Sequence, residues 1–364
     1  MKKLLVALFA SAFLISPPAQ ADTPVTRIVD KPHTNFAGEF RNNELATNLL
    51  PAGKLGKLIF DQPLSSRTYV IDAALIKEVL DMADGYSYAG KEDLVGEIVA
   101  KNWLAQLKFV TVRNTVVALP FGNPDEKLLK SIAPSELKFY SQYAQDFLET
   151  ALNRPVVAQN GWGTGVSRLS DQFISSYTQN RRLLTGLSTI VSSEEITDLR
   201  ARLAVVMNPI LTKDEQAFFT YNEKIAVKKM AGRLKVIPGR YQITTTEAKL
   251  PITLVNNFDT AAVVNVSLIP MNSRIQIENL NNITIAPKSR QQILLAVDVI
   301  APGSTLVLAQ LMNFKGQLVG EVSKLHLTAT IIDSRVAWFT TGAAVLLFMG
   351  AVTQSVRRVR RSRK

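Results

Sequence analysis

The chain of 364 residues contains no cysteine and only two histidines, His33 and His326. The lack of cysteine excludes disulfide scaffolds, thiolate zinc sites and cysteine nucleophiles. Two histidines also make a hydrolase with paired imidazole ligands hard to build, so we predict no metal and no cofactor. Hydrophobic residues make up 47% of the chain and charged residues 20%. That composition is enough for folded cores, and the length predicts about two domains.

Acidic residues are absent from both ends of the chain, 1–21 and 336–364, although the net charge is +12. The two ends carry eight basic residues, which leaves 34 basic against 30 acidic residues between them. No concentrated basic stripe remains there to follow a phosphate backbone, so we predict no nucleic-acid partner. The excess charge instead indicates membrane topology.

The first 21 residues have the pattern of a secretory signal peptide. Lys2 and Lys3 precede an uncharged apolar stretch over 4–15, and the segment ends with Ala19-Gln20-Ala21, small residues on either side of a glutamine. An apolar stretch of about twelve residues is too short to span a bilayer comfortably. We therefore predict cleavage after Ala21.

A second uncharged stretch, 336–356, is long enough for one membrane-spanning helix at about 1.5 Å per residue. Trp338 lies near its start, where aromatic rings favour the headgroup region. Six basic residues that mark the cytoplasmic side follow it: Arg357, Arg358, Arg360, Arg361, Arg363 and Lys364. We expect a single-pass cell-membrane protein with 22–335 outside the cytoplasm and the basic tail, 357–364, inside. A buried core helix is the alternative interpretation of 336–356.

Residues 240–334 have the pattern of an all-β, immunoglobulin-like sandwich. About seven short segments rich in β-branched residues, from 241–246 to 324–331, are separated by clusters of turn-forming residues. Pro238-Gly239 marks the predicted boundary with the preceding domain. His326 lies within one of the strand patterns, so we interpret it as structural.

Residues 22–239 are predicted to form an α/β extracytoplasmic domain. Apolar runs at 68–71 and 116–119 are each followed by a helical pattern, and a third copy is suggested at 155–158. Helices are predicted at 74–82, 94–108, 126–132 and 137–152. Strands alternating with helices favour a parallel layer, or an incomplete or degenerate barrel.

Three side chains follow the predicted strands at the position where parallel sheets collect ligand-facing groups: Asp72, Asp125 and Trp162. In one interpretation the two carboxylates are the general acid and base of a glycoside hydrolase, and Trp162 is a stacking platform for a sugar ring. In another, both aspartates cap helices and Trp162 fills a loop, or Trp162 contacts a glycan without catalysis. Tyr86 is a weak binding candidate with the same ambiguity.

Two later segments are interpreted as solvated helices. Residues 193–202 have acidic residues first and basic residues last, as the helix dipole favours. Residues 224–235 hold a basic cluster, which is either a solvated face or a weak attraction to anionic wall polymer or lipid.

Four local sequences, together with the order of the parts, resemble a known family. They are Val-Ile-Asp-Ala-Ala-Leu (70–75), Met-Ala-Asp-Gly-Tyr (82–86), Trp-Leu-Ala-Gln-Leu (103–107) and Ala-Leu-Pro-Phe-Gly-Asn-Pro-Asp (118–125). The chain is similar to uncharacterised actinobacterial single-span envelope proteins with a domain of unknown function, often encoded near the lipid II flippase. The chain is shorter than typical members and less rich in alanine and arginine. The resemblance implies an envelope location and an association with cell-wall assembly, and it supplies no catalytic residue.

These observations favour a non-catalytic binding or scaffold protein of the cell envelope, whose partners would be wall glycan or wall-synthesis proteins. The alternative is a carbohydrate-active hydrolase that acts on wall glycan through Asp72 and Asp125. Carboxyl groups about 5–10 Å apart in a shared open cleft would favour the hydrolase. Burial of both as helix caps would count against it.

Overall fold

A computed structural model describes residues 23–62, 66–88, 90–159, 161–163, 165–167, 169–330 and 334–361. These residues divide into two compact units. The first comprises the described residues up to His33, Phe40–Glu126 and Lys130–Gly163, and the second comprises Thr34–Glu39, Lys127–Leu129 and the described residues from 165 onward. The predicted signal peptide and its cleavage site at Ala21 lie outside the described residues.

The elements of the first part of the chain alternate between strands and helices. They are β1 (Val25–Ile28), α1 (Glu44–Leu49), α2 (Lys54–Phe60), β2 (Thr68–Asp72), α3 (Ala73–Ala83), β3 (Ser87–Tyr88), β4 (Lys91–Glu92), α4 (Leu94–Thr111), β5 (Thr115–Leu119), α5 (Glu126–Ile132), α6 (Pro134–Leu152) and β6 (Val157–Ala158).

The first unit is built on a parallel sheet in the order β1-β2-β5-β6. Tyr69, Val70 and Ile71 of β2 are all buried, as are Val116 to Leu119 of β5. Such continuous apolar runs are typical of parallel strands covered on both faces. The prediction of a parallel α/β layer is therefore confirmed, and the described strands form an open sheet with β1 and β6 at its edges.

The second part of the chain contains a helical segment followed by strands. Its elements are α7 (Asp171–Ser188), α8 (Glu194–Arg202), a 3₁₀ helix (Leu203–Met207), α9 (Lys213–Ala231), β7 (Leu234–Val236), β8 (Gly239–Ile243), β9 (Glu247–Asn256), β10 (Ala262–Pro270), β11 (Ile275–Ile277), β12 (Leu280–Ile285), β13 (Ser289–Val299), β14 (Gly303–Met312), β15 (Ser323–Ala329) and α10 (Ser334–Arg361).

The strands of the second unit form a β-sandwich, as predicted. One sheet has the order β12-β10-β14-β15-β8 and the other β11-β13-β9-β7. Side chains alternate between the core and the surface along β14, where Val307, Ala309 and Leu311 point inward and are fully buried. This period of two is what a half-buried strand requires.

Helices of the second unit share the core of the sandwich. Leu187 at the end of α7 and Ile196 of α8 belong to the same buried cluster as Leu254 and Val307 of the two sheets. At Gly186 an added Cβ would lie 3.3 Å from the Val319 side chain, which shows how closely α7 approaches the sandwich. The division between the units therefore falls near residue 163, and not at the predicted boundary of 239/240.

The predicted transmembrane segment, 336–356, falls within α10. Among the residues that the structure describes, no helix combines the length and the apolar character needed to cross a membrane. The prediction of a transmembrane helix is thus not supported by the structure.

Candidate functional site

Asp72 lies at the carboxyl end of β2, where the sequence places a candidate catalytic group. Its Oδ1 accepts a hydrogen bond from the backbone N–H of Ala74, at 2.9 Å, and thereby caps α3. The same oxygen accepts a second bond, also 2.9 Å, from the N–H of Gly122 in the loop after β5. The side chain is 2% exposed. Asp72 therefore joins two strand-to-helix turns inside the fold.

The loop after β5 is shaped to present this N–H. Asp72 is in register with Leu119 of β5, so the Gly122 turn lies beside the end of β2. Gly122 has a φ of 75° and Asn123 a φ of 46°. Glycine adopts this left-handed region at little cost, and asparagine tolerates it better than most residues.

Burial governs the ionisation of Asp72. Burial, opposed by the two N–H bonds and assisted by the nearby charge of Glu78, raises the pKa of the carboxyl group to about 7. The carboxyl group thus holds its proton up to near neutral pH, but it does so enclosed in the fold. A general acid needs contact with its substrate, which this position does not provide.

Asp125, the second predicted carboxylate, is 0% exposed. Its neighbour Glu126 is 7% exposed and accepts hydrogen bonds from the N–H groups of Gly161, at 2.9 Å, and Gly163, at 3.1 Å. The ammonium of Lys130 lies 3.6 Å from Glu126. Because Asp72 and Asp125 are both enclosed, the open cleft that the hydrolase interpretation requires is not formed around them.

Glu126 holds the turn that carries Trp162. The indole packs on the cluster of Val70, Val117 and Leu119 at the sheet, and it is half-buried. The Arg27 guanidinium lies 5.6 Å from the ring centroid and donates a hydrogen bond to the Trp162 carbonyl oxygen. A cation over the ring face is favourable by itself. This geometry corresponds to the interpretation of Trp162 as a residue that fills a loop.

Tyr86 is also held within the first unit, at 7% exposure. Its hydroxyl donates to Asp93, at 2.9 Å, and contacts the Asn43 amide oxygen. Burial and the adjacent Asp93 raise the pKa of Tyr86. Asp93 caps α4. Hydrogen bonds from the Gly96 N–H and the Tyr86 hydroxyl lower the pKa of Asp93. At Gly96 an added Cβ would overlap the Tyr86 ring, so the pair is tightly packed.

Asp30 is a third buried carboxylate at the carboxyl ends of the strands, and the sequence analysis did not identify it. Asp30 follows β1, is 5% exposed, and accepts hydrogen bonds from Lys54 Nζ at 2.8 Å and the Asn48 amide at 2.9 Å. His33 Nε2 lies 3.6 Å away. Burial alone would raise the pKa of Asp30, yet the nearby His33 ring and the hydrogen bonds from Lys54 and the Lys31 N–H hold it well below its usual range. Four residues of strand pattern are too short a signal to have identified β1.

The second unit contains an open groove between α7 and α9, with a volume of about 440 Å³. It is lined by amide and hydroxyl side chains, among them Gln179, Asn180 and Thr220, and by Tyr221 and Lys224 at positions exposed to solvent. Sequence reasoning treated 224–235 as a solvated helix and did not detect the groove. The sequence feature that could have indicated the groove is Glu223, an acidic residue on the same buried face of α9 as Phe219 and Val227.

Glu223 is fully buried next to this groove. Burial raises the pKa of Glu223 to about 8, and the nearby Asn180 side chain lowers it in part. Neither the carboxylate oxygens of Glu223 nor the amide nitrogen of Asn180 makes a hydrogen bond of ordinary geometry within the described part of the chain. Buried polar groups are bonded in the great majority of cases, so this pair is unusual.

A family of unknown function, DUF6049, matches residues 141–364, which is more than half of the chain. The chain belongs to this family. The DUF6049 match includes α7 and α9, and therefore the groove, whereas Asp72 and Asp125 precede it.

Among curated proteins, none is significantly similar to this DUF6049 chain in sequence. Solved structures that resemble it match about a quarter of its length. A member of the MSP family from C. elegans is 12% identical and covers 27% of this chain and 99% of its own, with a TM-score of 0.22. A CARDB domain from Pyrococcus furiosus is 12% identical, with coverages of 27% and 94% and a TM-score of 0.22. A PapD-like domain of human CEP192 is 9% identical, with coverages of 28% and 89% and a TM-score of 0.21. Similarities this low support no inference about function.

Proposed function

We propose that this protein is a non-catalytic binding or scaffold protein of the cell envelope. The supporting observation is that the predicted catalytic carboxylates, at the carboxyl ends of the first unit's strands, are enclosed in the fold. Asp72, which stands where an α/β enzyme would place a catalytic carboxylate, is 2% exposed and accepts two backbone hydrogen bonds. Asp125, the other predicted catalytic carboxylate, is 0% exposed, so neither of the two carboxylates predicted to act on a substrate is open to one.

The envelope location is supported by the two ends of the sequence. Residues 1–21 have a signal-peptide pattern, and the uncharged stretch 336–356 is followed by a basic tail. Along α10, Leu346, Leu347 and Phe348 are between 69% and 76% exposed. Leaving such side chains in water costs about 25 cal/mol per Å² of apolar surface, so an apolar environment for this segment would be favoured. We therefore propose a single-pass anchor with both folded units outside the cytoplasm.

The ligand or partner is proposed to be wall glycan or a protein of wall synthesis. The resemblance of the sequence to envelope proteins expected to be encoded near the lipid II flippase supports this proposed association. The enclosure of Asp72 and Asp125 favours presentation of a surface over turnover of a substrate.

Location is tested by adding protease to intact cells that express the full chain with a C-terminal epitope. We expect the bulk of the chain to be digested while the epitope stays protected. A chain that survives intact, and that cytosolic labels reach, would refute the envelope location.

Catalysis is tested by incubating the purified full chain with wall glycan and measuring released reducing ends. We expect no release above that of the Asp72→Asn and Asp125→Asn variants. Release by the wild type that either variant abolishes would establish the hydrolase instead.

A further inference from the structure

The groove between α7 and α9 has the size of a ligand site. Its volume of about 440 Å³ lies within the range of about 300–1,000 Å³ that small-molecule sites occupy. Most of its lining residues carry an amide or a hydroxyl group, which can both donate and accept hydrogen bonds. Phe173 and Tyr221 add two aromatic rings, and Tyr221 is 67% exposed.

The charge of the lining limits the class of ligand. Lys224 supplies the only full charge among the side chains described around the groove, and no carboxylate lines it. A polyanion would be better served by several cations. A purely apolar ligand would leave the amides and hydroxyls without partners. A neutral ligand rich in hydroxyl groups, with an apolar face for an aromatic ring, satisfies both conditions.

Two polar groups at and behind the groove are poorly bonded by the fold. Asn180 lines the groove, and its amide nitrogen is buried without a hydrogen bond of ordinary geometry among the described residues. Glu223 is fully buried behind the lining, and apart from its interaction with the Asn180 side chain its carboxylate oxygens have no donor of ordinary geometry in that part of the chain. Because burial raises the pKa of Glu223 to about 8, the pair is mostly neutral at pH 7. Groups of this kind are costly unless something bonds to them.

We propose that this groove binds a neutral oligosaccharide chain. Sugar hydroxyls would bond to Asn180, Thr220 and the glutamine amides, and one pyranose face would pack on Tyr221. The inference rests on the proposed function, since it gives the non-catalytic protein its ligand class.

The test is calorimetric titration of the purified full chain, in detergent micelles, with chitotetraose and separately with maltotetraose. We expect saturable binding of at least one of them. Tyr221→Ala and Asn180→Ala should each weaken it about tenfold, the effect of losing roughly 1.4 kcal/mol of stacking or hydrogen bonding. Phe314→Ala is the matched control, because Phe314 is 68% exposed in the same unit but lies outside the groove, and it should bind like the wild type.

Two outcomes would overturn the assignment. They are binding of neither tetrasaccharide, and affinity unchanged by both groove variants. These outcomes can be distinguished from a failure of the proposed function. Cleavage of the tetrasaccharide by the wild type, or a cytosolic location of the chain, would refute that function without changing where the ligand binds.

Discussion

Asp72 in the first unit and Glu223 in the second are comparably buried, at 2% and 0% exposure, and burial raises the pKa of both. Their hydrogen bonding differs. Asp72 accepts two backbone N–H bonds, whereas Glu223 makes none of ordinary geometry in the part of the chain that the structure describes. A buried carboxylate with a raised pKa is therefore ambiguous by itself. What separates the two carboxylates is whether the fold already satisfies their oxygens with hydrogen bonds of ordinary geometry.

The two arrangements also differ in what they contribute to stability. A carboxylate that accepts backbone bonds stabilises the turns that donate them, typically by about 1–3 kcal/mol for a bond to a charged group. A buried group without partners costs a similar amount. The first unit thus uses its polar groups for folding, while the α7–α9 groove retains a cost that binding would offset.

At a fixed pH, the largest expected effect is that of Asp72→Ala, a loss of about 3 kcal/mol in the stability of the first unit. The change removes the cap of α3, which is worth about 1 kcal/mol, and leaves the Gly122 N–H buried without an acceptor. Hydrogen exchange of the β2 and β5 amides in the full chain measures this. Asp72→Asn keeps an oxygen at the same position and should cost less than about 1 kcal/mol. Equal losses in both variants would show that the two bonds do not matter.

Glu126→Ala should have the next largest effect, about 2 kcal/mol, confined to the turn that carries Trp162. The Gly161 and Gly163 N–H groups lose their shared acceptor, so their amide exchange should accelerate. Lys130→Ala is the matched control, because its exposed ammonium, 3.6 Å from Glu126, contributes at most about 1 kcal/mol. If the lysine variant loosens the turn as much as the glutamate variant, the ion pair holds the turn and the backbone bonds do not.

Much of the first unit could be predicted from the sequence because its signals are local. The run Tyr69 to Ile71 followed by Asp72 contains both a buried strand and a helix cap within a few residues, and both are found. The bond from Asp72 to Gly122 joins positions 50 residues apart, and it depends on the register of β2 against β5. No local pattern specifies that register, so the sequence alone could not show whether Asp72 is a helix cap or a catalytic acid.

The missed elements have equally physical reasons. In β12 only Ile285 is buried, Asn282 has a φ of 56°, and the register shifts against β10, so the alternation that marks a strand is broken. The groove brings Asn180 and Glu223 together from two helices that are far apart in sequence. Glu223 on the buried face of α9 is the one local signal, and only packing of α7 against α9 brings Asn180 to it.

The effect of Glu223→Gln should depend on pH. The pKa of Glu223 is 4.5 when exposed and about 8 in the fold, so the folded state binds more protons between these values. Stability of the wild type should then fall as pH rises from about 4.5 to 8, by up to about 1.4 kcal/mol per pH unit. The glutamine variant should lose the contribution of Glu223 to this slope in chemical denaturation and keep that of Asp72, while Glu247→Gln, an exposed control on β9, should keep both. A wild-type slope of zero would mean that Glu223 is bonded after all.

Tyr86→Phe should have the smallest effect, a loss of about 1 kcal/mol, because it removes one bond from a network that stays satisfied. Asp93 would still accept from the N–H groups of Val95 and Gly96 and from the Asn43 amide. Since the Tyr86 hydroxyl helps to lower the pKa of Asp93, that pKa should rise towards its ordinary value, which carboxyl-carbon NMR titration would detect. Tyr88→Phe, an exposed neighbour, should leave both quantities unchanged. A loss as large as that of Asp72→Ala would mean that the number of remaining hydrogen-bond partners does not determine the loss of stability. The contrast between the well-bonded Asp72 and the poorly bonded Glu223 would then have no basis.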